Sequence, residues 1–437
     1  MEPRDPAVVE GWLSVGADGR IAGLGRGEPP WMLAAEEELD ARGSFLAPGF
    51  VSAHSHLFTS GLRGMGSDQA LYGWSRALSP ILGQLDADDV YWLTLHGSLD
   101  LLANGVTTAY DFTDPRQPFA VDEQGRADWV PHLRPQEHLE AQLVAKLDGG
   151  IRFVNSFHLD QGVGDACAVV ERADAFVAFV ERLGRRPTLA ALALSGAVQW
   201  SDRPEVAAVE AAVMARHGLV NQAHFLETAE HVELQRSKFD WYERAGALGP
   251  DLIFGHFVQT TPEIVRRAGA ARCGMCWQPA ANGRLASGTA DIRALRDAGL
   301  RVGMGLDDQA CTDIADPFQQ LRVALYTQRI ARQSPDALGV EEVLRLHTIE
   351  SAALLHLEGE IGSLAVGKWA DLLVVDPSDP DTGPLWDPVA TYVLACGLRN
   401  LKRVYVAGEL VSVDGRSCYP RAGEVRRRVR ERMARFG

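Results

Sequence analysis

The sequence has 437 residues, 46% of them hydrophobic, and a formal net charge of −15. This length exceeds one ordinary domain, yet a single barrel of alternating strands and helices can take up most of it. The acidic balance argues against a nucleic-acid partner, because binding to a phosphate backbone requires a basic surface. Small molecules are the expected partners.

The sequence carries no sign of export or of membrane insertion. No apolar run approaches the ~20 residues that span a bilayer, and residues 1–5 lack the pattern of a signal peptide. The 6 cysteines are too scattered to form a disulfide framework. We therefore expect a cytoplasmic protein without a membrane partner.

Short apolar runs, each followed by a helix-like segment, organise most of the chain. The predicted strands cover residues 50–56, 106–111, 151–158, 189–198, 219–224, 252–256, 272–277 and 302–307. The predicted helices between them include residues 88–103, 168–183, 204–217, 229–245 and 261–270. Strands that alternate with helices form parallel βαβ units, and eight such units predict an α/β fold with a closed (β/α)8 TIM barrel.

The two chain ends predict a second, smaller unit beside the barrel. Residues 11–24 are typical of a hairpin that turns at Asp18-Gly19, and residues 371–376 and 402–412 are again strand-like. We expect these ends to pair into one small β-sandwich. The short N-terminus leaves open whether the first strand of that sandwich is present.

The chain ends in an arginine-rich amphipathic segment, residues 424–435, which predicts a solvated terminal helix. The expected division of the chain is residues 1–48 for the N-terminal part of the sandwich, 49–364 for a metal-dependent barrel, 365–420 for the C-terminal part of the sandwich and 421–437 for a helical tail.

Histidines and carboxylates fall at the predicted carboxyl ends of barrel strands, where barrel enzymes keep their working residues. His54 and His56 end the first strand, and both rings can reach one ion because side chains two apart on a strand share a face. His224 ends the fifth strand, His256 the sixth and Asp307 the eighth. Three imidazoles and a carboxylate suit zinc or ferrous iron, with one position left open for water.

A second carboxylate belongs to the same predicted mouth. Glu227 follows His224 by three residues, and a carboxylate beside a metal-activated water can accept its proton and pass it on. Asp308 is the alternative to Asp307 as the eighth-strand acid, but alternation along that strand favours Asp307.

Other side chains near strand ends or in the long first loop are candidate substrate contacts, with ordinary loop packing as the alternative. They are Arg63, Trp74, His158, Gln161, Trp200 and Gln278. Together with Trp277 and Gln199, these aromatic rings and amides suit a flat ring with polar edges.

Several segments resemble a known family when they are taken together and in order. They are residues 48–56, 104–108, 224–228, 279–288 and 305–307, and the most specific is residues 362–372, GSLAVGKWADL. The chain resembles the amidohydrolase superfamily, in its branch of mononuclear deaminases and triazine hydrolases, which includes guanine deaminase-like and chlorohydrolase-like members.

The resemblance implies one divalent metal ion per chain, with zinc favoured and ferrous iron as the alternative. The implied metal ligands are His54, His56, His224 and Asp307. Binuclear members of the superfamily bridge two metals with a lysine on a middle strand, and residues 151–158 and 189–198 contain no lysine. A homodimer is expected because dimers are usual in the family.

The resemblance also assigns roles in proton transfer. Glu227 would protonate a ring nitrogen of the substrate and carry protons to the leaving group. His256 would orient the attacking water or help to deprotonate it, and Asp307 would take a proton.

The implied function is a metal-dependent hydrolytic deaminase that acts on an amino-substituted nitrogen heterocycle, of purine, pterin, pyrimidine or triazine type, and releases ammonia. An alternative of the same fold cleaves a cyclic amide, or removes an alkylamine or a halide. A third alternative is a barrel that binds metal and ligand without turnover. Such a protein would not need Glu227 and His256 beside the metal ligands. Many deaminases have a histidine after the fourth strand where this chain has Gln199-Trp200, so the heterocycle stays open.

Overall fold

The computed structural model describes residues 8–31, 33, 35–380 and 382–436. Residues 1–5, from which the prediction of no secretion signal was made, lie outside the described residues. Within the described part of the chain, no helix is both long enough and apolar enough to cross a membrane.

The strands of the described chain run in sequence order from the N-terminal hairpin to a short C-terminal sheet edge. They are β1 Gly11–Val15, β2 Ile21–Arg26, β3 Phe45–Pro48, β4 Phe50–His56, β5 Val106–Phe112, β6 Phe119–Val121, β7 Ala127–Trp129, β8 Arg152–Phe157, β9 Leu189–Gly196, β10 Val220–Phe225, β11 Leu252–His256, β12 Gly274–Trp277, β13 Arg301–Met304, β14 Asp307–Asp308, β15 Leu372–Val375, β16 Leu401–Val406, β17 Glu409–Val413 and β18 Arg416–Ser417.

The α-helices lie between these strands and at the C-terminal end. They are α1 Leu71–Leu82, α2 Ala87–Ala103, α3 Glu137–Gly149, α4 Ala166–Arg182, α5 Glu205–His217, α6 Val232–Ser237, α7 Phe239–Arg244, α8 Pro262–Ala270, α9 Pro279–Arg284, α10 Ile292–Asp297, α11 Pro317–Arg332, α12 Val340–Leu346, α13 Ile349–Leu354, α14 Pro388–Leu394 and α15 Ala422–Met433. Several begin at a side-chain cap, since Asp86, Asp165 and Thr261 each accept a hydrogen bond from a backbone N–H of the first turn.

The central sheet closes on itself. Its strands lie in the order β13-β12-β11-β10-β9-β8-β5-β4-β14. At one end of this order, β13 pairs with β12. Directly after β13 in the chain, β14 pairs in parallel with β4, with Asp307 opposite Ser55 and Asp308 opposite His56. Residues 301–308 therefore act as one barrel strand with two neighbours, and the predicted TIM barrel is confirmed.

The ends of several elements differ from the predictions. The first and sixth barrel strands match over residues 50–56 and 252–256, whereas the seventh starts at Gly274 and the eighth is interrupted after Met304. The helix predicted over residues 229–245 is two short helices, α6 and α7. Lys238 lies between them, and its buried ammonium donates to the carbonyl of Gln199 at 2.5 Å.

Both chain ends contribute to an antiparallel unit beside the barrel, as predicted. One sheet has the order β18-β17-β16-β15-β3, so an N-terminal strand pairs with β15 from the C-terminal part. The hairpin β1-β2 packs against it through a small core that includes Ile21, Ala370 and Leu372. The hairpin of β16 and β17 turns at Ala407-Gly408, as expected, and both residues have left-handed backbone, with φ of 50° and 79°.

The helical tail is less solvated than its composition predicted. One face of α15 packs on α2, which buries Val425 and Val429, and Arg432 pairs with Asp89 of α2 at 2.8 Å. The exact division at residues 48/49, 364/365 and 420/421 stays a prediction.

The barrel is fastened to the antiparallel sheet by a buried ion pair. Arg152, at the start of β8, donates from Nε and Nη2 to the two carboxylate oxygens of Asp371 at 2.6 and 2.9 Å. The backbone N–H of Ala407 also donates to Asp371 at 2.7 Å, and the guanidinium lies over the Trp369 ring. Arg152 lies at the amino-terminal end of the barrel, opposite the histidines. The contact joins this end to residues 362–372, the segment with the most specific resemblance to the amidohydrolases.

Candidate metal centre and active site

Three imidazoles converge at the carboxyl ends of the first and fifth barrel strands. His54 and His56 lie at the end of β4, and His224 lies near the end of β10. The Nε2 atom of His56 is 3.2 Å from Nε2 of His54 and 3.2 Å from Nε2 of His224. The structure therefore brings these three predicted ligands together.

The surroundings of these rings suit a cation. Nδ1 of His54 lies 2.5 Å from Oε1 of Gln222, an oxygen that only accepts, so the ring proton sits on Nδ1 and Nε2 presents a lone pair. Gln222 also donates from Nε2 to the carbonyl of Ala53 at 2.8 Å, which holds the amide in this orientation. Burial, reinforced by the neighbouring imidazoles, lowers the pKa values of His56 and His224 and keeps both rings neutral. Converging neutral imidazoles are what a divalent metal ion requires.

Asp307 places a carboxylate beside these rings. Its Oδ1 lies 3.4 Å from Nε2 of His54 and 3.7 Å from Nε2 of His56. Burial opposes ionisation of Asp307, but its surroundings, with His256 foremost, outweigh burial and hold the pKa of Asp307 below the usual range. Asp308, the alternative acid, instead accepts a hydrogen bond at 2.7 Å from the backbone N–H two residues further on. The geometry thus favours Asp307 as the fourth ligand, and metal binding by this set stays a prediction.

The backbone is strained at two of the strand ends that carry the site. His256 and Asp307 have left-handed φ angles of 65° and 70°. Such conformations cost free energy for residues with a Cβ atom, and they cluster at functional sites. Gly305 allows a close approach nearby, because a Cβ atom on it would lie 2.5 Å from Cβ of His54.

His256 and Glu227 form the second part of the site. Nε2 of His256 lies 3.6 Å from Oε2 of Glu227 and 3.8 Å from Oδ2 of Asp307. Nδ2 of Asn282 donates to Nδ1 of His256 at 2.9 Å, so His256 carries its own proton on Nε2, toward the two carboxyl groups. Among the described residues, neither this nitrogen nor Oε2 of Glu227 has a hydrogen-bond partner. Burial, followed by repulsion from Asp307 and Asp308, raises the pKa of Glu227 and favours its protonated form.

Three of the predicted substrate contacts lie close to these groups. The Trp200 ring is centred 6.2 Å from that of His224. Gln278 accepts from the backbone N–H of His256 at 2.9 Å and leaves its own Nε2 without a partner in the described chain. His158 is near enough to lower the pKa values of two site imidazoles, and burial lowers its own pKa to about 4.

The other three predicted contacts lie further out. Trp74 donates from Nε1 to the carbonyl of Ala310 at 3.2 Å, in the loop after the eighth strand, and Arg63 pairs with Asp100 at 2.6 Å. Gln161 lines a small cavity beside the mouth, whose walls also include Trp129, His158, Asp160, Ala197 and Arg203. The structure does not bring Arg63 into the cluster, and substrate contact by all six residues stays a prediction.

Some residues of the site were not predicted from the sequence, among them Phe112 and Gln222. Phe112, at the end of β5, is centred 4.6 Å from the rings of His54 and His224, and it stacks on His56 at 4.9 Å. Gln222 orients His54, as described above. Because Gln222 precedes His224 by two residues on one strand, the alternation of side chains could have indicated it. An aromatic residue at a strand end is typical of any core, so no local signal indicated Phe112.

A closed parallel barrel with a metal-type ligand set at its carboxyl-terminal mouth defines a class of hydrolytic barrel enzymes. Residues 45–411 match the amidohydrolase family. The chain belongs to this family, and it is a hydrolase that acts on carbon–nitrogen bonds.

Similar proteins agree with this assignment. The chain is 29% identical to the 8-oxoguanine deaminase of Pseudomonas aeruginosa, over 91% of this chain and 89% of that one. It is 27% identical to the 5-methylthioadenosine/S-adenosylhomocysteine deaminase of Syntrophobacter fumaroxidans, over 94% and 91% of the two chains. These names agree with the predicted hydrolytic deamination of a nitrogen heterocycle.

A solved structure supports the fold. An adenosine deaminase from Xanthomonas campestris with bound zinc superimposes with a TM-score of 0.80 at 20% identity, and the match covers 98% of this chain and 93% of that one. At this identity the likeness concerns the architecture of the chain.

Proposed function

We propose that this amidohydrolase is a hydrolytic deaminase that replaces the amine on a ring carbon of a nitrogen heterocycle by an oxo group and releases ammonia. The observation that carries the proposal is the buried Glu227 carboxyl group, which lies 3.6 Å from His256 and whose pKa is raised by burial and by the neighbouring carboxylates. A deaminase needs a proton donor for the ring nitrogen beside the amine-bearing carbon. A buried carboxylic acid that keeps its proton near neutral pH supplies one.

We assign the metal to His54, His56, His224 and Asp307, with one divalent ion per chain, zinc in the first place and ferrous iron as the alternative. When bound, the metal would supply Lewis acidity that makes hydroxide available from water near neutral pH. The neutral imidazoles and the ionised Asp307 described above support this set.

The protein's own groups then move the protons. Glu227 donates its proton to the ring nitrogen, which makes the adjacent carbon more electrophilic. The Nε2–H of His256, which faces Glu227 and Asp307, orients the attacking water. Asp307, held ionised, accepts a proton from that water. The new carbon–oxygen bond forms and the carbon–nitrogen bond breaks. The amine takes the proton from Asp307 and leaves as ammonia, the ring nitrogen keeps the proton from Glu227, and the second proton of the water returns to Glu227 as the oxo group forms.

The substrate is proposed to be an aminopurine, aminopterin, aminopyrimidine or aminotriazine. Trp200 supplies an aromatic face near His224, and Gln278 and His158 offer polar atoms at the same mouth. Gln161 and Trp74 are assigned to outer contacts with ring substituents. Arg63 is assigned an electrostatic contribution at most, because its guanidinium is paired with Asp100.

The test replaces Glu227 in the metal-loaded protein. Glu227→Gln keeps the size of the side chain but cannot carry a proton, so we expect ammonia release from the best ring amine to fall by about 100-fold or more. Elemental analysis is expected to give about one metal per chain in both proteins. A variant that loses its metal would make Glu227 a ligand. A wild type that releases no ammonia from any of the four classes, yet opens a cyclic amide or releases a halide, would overturn the deaminase proposal.

We also propose that the protein is a cytoplasmic homodimer. All 6 cysteines lie in the described chain and are free, as is usual in reducing compartments. Exposed apolar side chains on and next to two neighbouring helices, α11 and α14, support self-association: Ile330 is 75% and Trp386 is 91% exposed. Sedimentation of the purified protein tests the dimer.

A further inference from the structure

Gln199 is a buried amide that the folded chain leaves without a partner. It lies in the single turn Val198–Trp200 that follows β9, and it is 1% exposed. Its backbone carbonyl accepts from Lys238, but its side-chain oxygen and nitrogen both lack a hydrogen-bond partner among the described residues. A buried polar group without a partner lowers stability, so its presence calls for an explanation such as a bound ligand.

The amide faces the same space as the proposed proton donor. Gln199 lies against the Glu227 carboxyl group and offsets a part of the pKa rise that burial causes there. The next residue, Trp200, has its ring 6.2 Å from that of His224. A ring that places its amine-bearing carbon beside Glu227 therefore brings its neighbouring edge to Gln199.

The donor and acceptor of the carboxamide determine which ring edge it can bind. A glutamine side chain presents one N–H donor and one oxygen acceptor side by side, and its planar complement is an edge with an adjacent acceptor and donor. A lactam edge, a ring N–H next to an exocyclic carbonyl, meets both groups. An amidine edge, a ring nitrogen next to an amine, would also pair with both groups of the carboxamide. A ring with such an edge carries two amines, however, and it could bind in two orientations that place one or the other amine beside Glu227.

We propose that Gln199 is a specificity-determining residue that pairs with a lactam edge of the ring whose amine is removed. This inference rests on the proposed deaminase function and narrows its substrates to amino-oxo rings, such as guanine and cytosine. Rings that carry the same reacting edge without the lactam, such as 2-aminopurine and 4-aminopyrimidine, leave the amide unpaired.

Matched substrate pairs test the inference in the metal-loaded wild type. We expect kcat/KM for ammonia release to be about 10- to 100-fold higher for guanine than for 2-aminopurine, or for cytosine than for 4-aminopyrimidine, because the poorer member leaves two buried groups unpaired. An amidine edge at Gln199 would instead give the preference to 2,6-diaminopurine over guanine.

Equilibrium binding separates recognition from reactivity. Hypoxanthine carries the lactam without the reacting amine, and purine lacks both. Calorimetry is expected to show tighter binding of hypoxanthine than of purine to the wild type, and Gln199→Met is expected to remove most of that difference. In the same variant, the ratio of kcat/KM for guanine to that for 2-aminopurine is expected to fall toward one.

Gln328 provides a matched control, because it is a buried amide whose groups are partnered. Its Oε1 accepts from the Ile292 N–H at 3.2 Å and its Nε2 donates to the Ala290 carbonyl at 2.7 Å. Gln328→Met is expected to lower the melting temperature and keep the substrate ratio. Gln199→Met removes an amide that has no side-chain partner in the described chain beyond its contact with Glu227, so the ligand-free variant is expected to melt at about the same temperature as the wild type.

The possible failures can be told apart. Ammonia release from ring amines without preference for the lactam member, or with a preference that survives in Gln199→Met, overturns this inference and leaves the deaminase function standing. No ammonia from any ring amine overturns the proposed function and the inference together. If Gln199→Met does not fold, the wild-type kinetics and the hypoxanthine–purine comparison still decide.

Discussion

Gln222 determines which nitrogen of His54 faces the other imidazoles. Its oxygen accepts a hydrogen bond from Nδ1 of His54 at 2.5 Å, and its nitrogen donates to the Ala53 carbonyl at 2.8 Å. A partner of this kind fixes both the tautomer and the direction of a metal-binding imidazole. Gln222 would therefore act on the proposed metal through His54, as a positioning residue.

We predict that Gln222→Leu lowers zinc affinity by roughly 10- to 100-fold, the usual scale for the loss of such a partner. Competition with a chromophoric chelator measures the affinity without any need for turnover. Gln328→Leu, which removes a buried amide on α11, is expected to leave the zinc affinity unchanged. An unchanged affinity in Gln222→Leu would show that the surrounding packing alone holds His54.

The sequence could predict which side chains come together in the site, because the geometry of the strands determines where they lie. His54 and His56 share a face by alternation, and His224, His256 and Asp307 end strands that meet at one mouth. The roles of Asn282 and Phe112 could not be predicted, because the first depends on a contact between different strand-end loops and the second on three rings that meet only in the closed barrel.

At the scale of elements, Glu210 links a helix to two barrel strands. It lies on α5, accepts from the backbone N–H of Ala197 after β9 at 2.7 Å, and accepts from Nδ2 of Asn221 on β10 at 2.9 Å. Burial raises the pKa of Glu210 to about 7, despite these two hydrogen bonds. The carboxyl group therefore ties the end of β9, which precedes Gln199, to β10, the strand that carries His224.

This shifted pKa makes stability depend on pH. Between the ordinary value of 4.5 and about 7, folded Glu210 keeps a proton that the unfolded chain has lost. Raising the pH through this window therefore lowers the free energy of unfolding, by up to about 1.4 kcal/mol per pH unit from this group. We predict that Glu210→Gln removes this slope, so that the variant gains stability relative to the wild type from pH 5 to 7.

Urea unfolding at pH 5, 6, 7 and 8 measures this difference. The Asn221 oxygen has no partner in the described chain, so it can accept from the new amide. A constant difference between the two proteins over the whole range would contradict the assignment of the pH dependence to Glu210.

Element types were more predictable than element ends. The apolar pattern along the chain predicted most barrel strands and helices, because it is a local signal. The break between α6 and α7 was missed, and Lys238 at this break contacts a carbonyl from a different part of the barrel, which no local signal indicates.

At the scale of the whole molecule, Arg152 and Asp371 hold the barrel and the antiparallel sheet together. Both are almost fully buried, with side-chain exposures of 2% and 3%. Removing one partner of a buried pair leaves a charge that neither water nor a counterion stabilises. We predict that Arg152→Met lowers the free energy of unfolding by about 3–5 kcal/mol.

An exposed pair provides the control. Arg216 and Asp174 pair on the surface, and Arg216→Met is expected to cost less than about 1 kcal/mol. The double variant Arg152→Met/Asp371→Asn should recover a part of the loss, because it leaves no unpaired charge. Equal unfolding midpoints for Arg152→Met and Arg216→Met would mean that other contacts join the two units.

The closure of the barrel by its last strand also has a consequence for the life of the protein in a cell. Asp307 reaches His54 only when residues 301–308 have paired with β4, so the ligand set is complete only in a finished fold. A metal ion bound by this set would join two parts of the chain that are far apart in sequence. It would stabilise only molecules in which the barrel is closed. Metal supply would then set how much of the protein escapes unfolding and degradation, and a metal-starved cell would hold fewer copies of it.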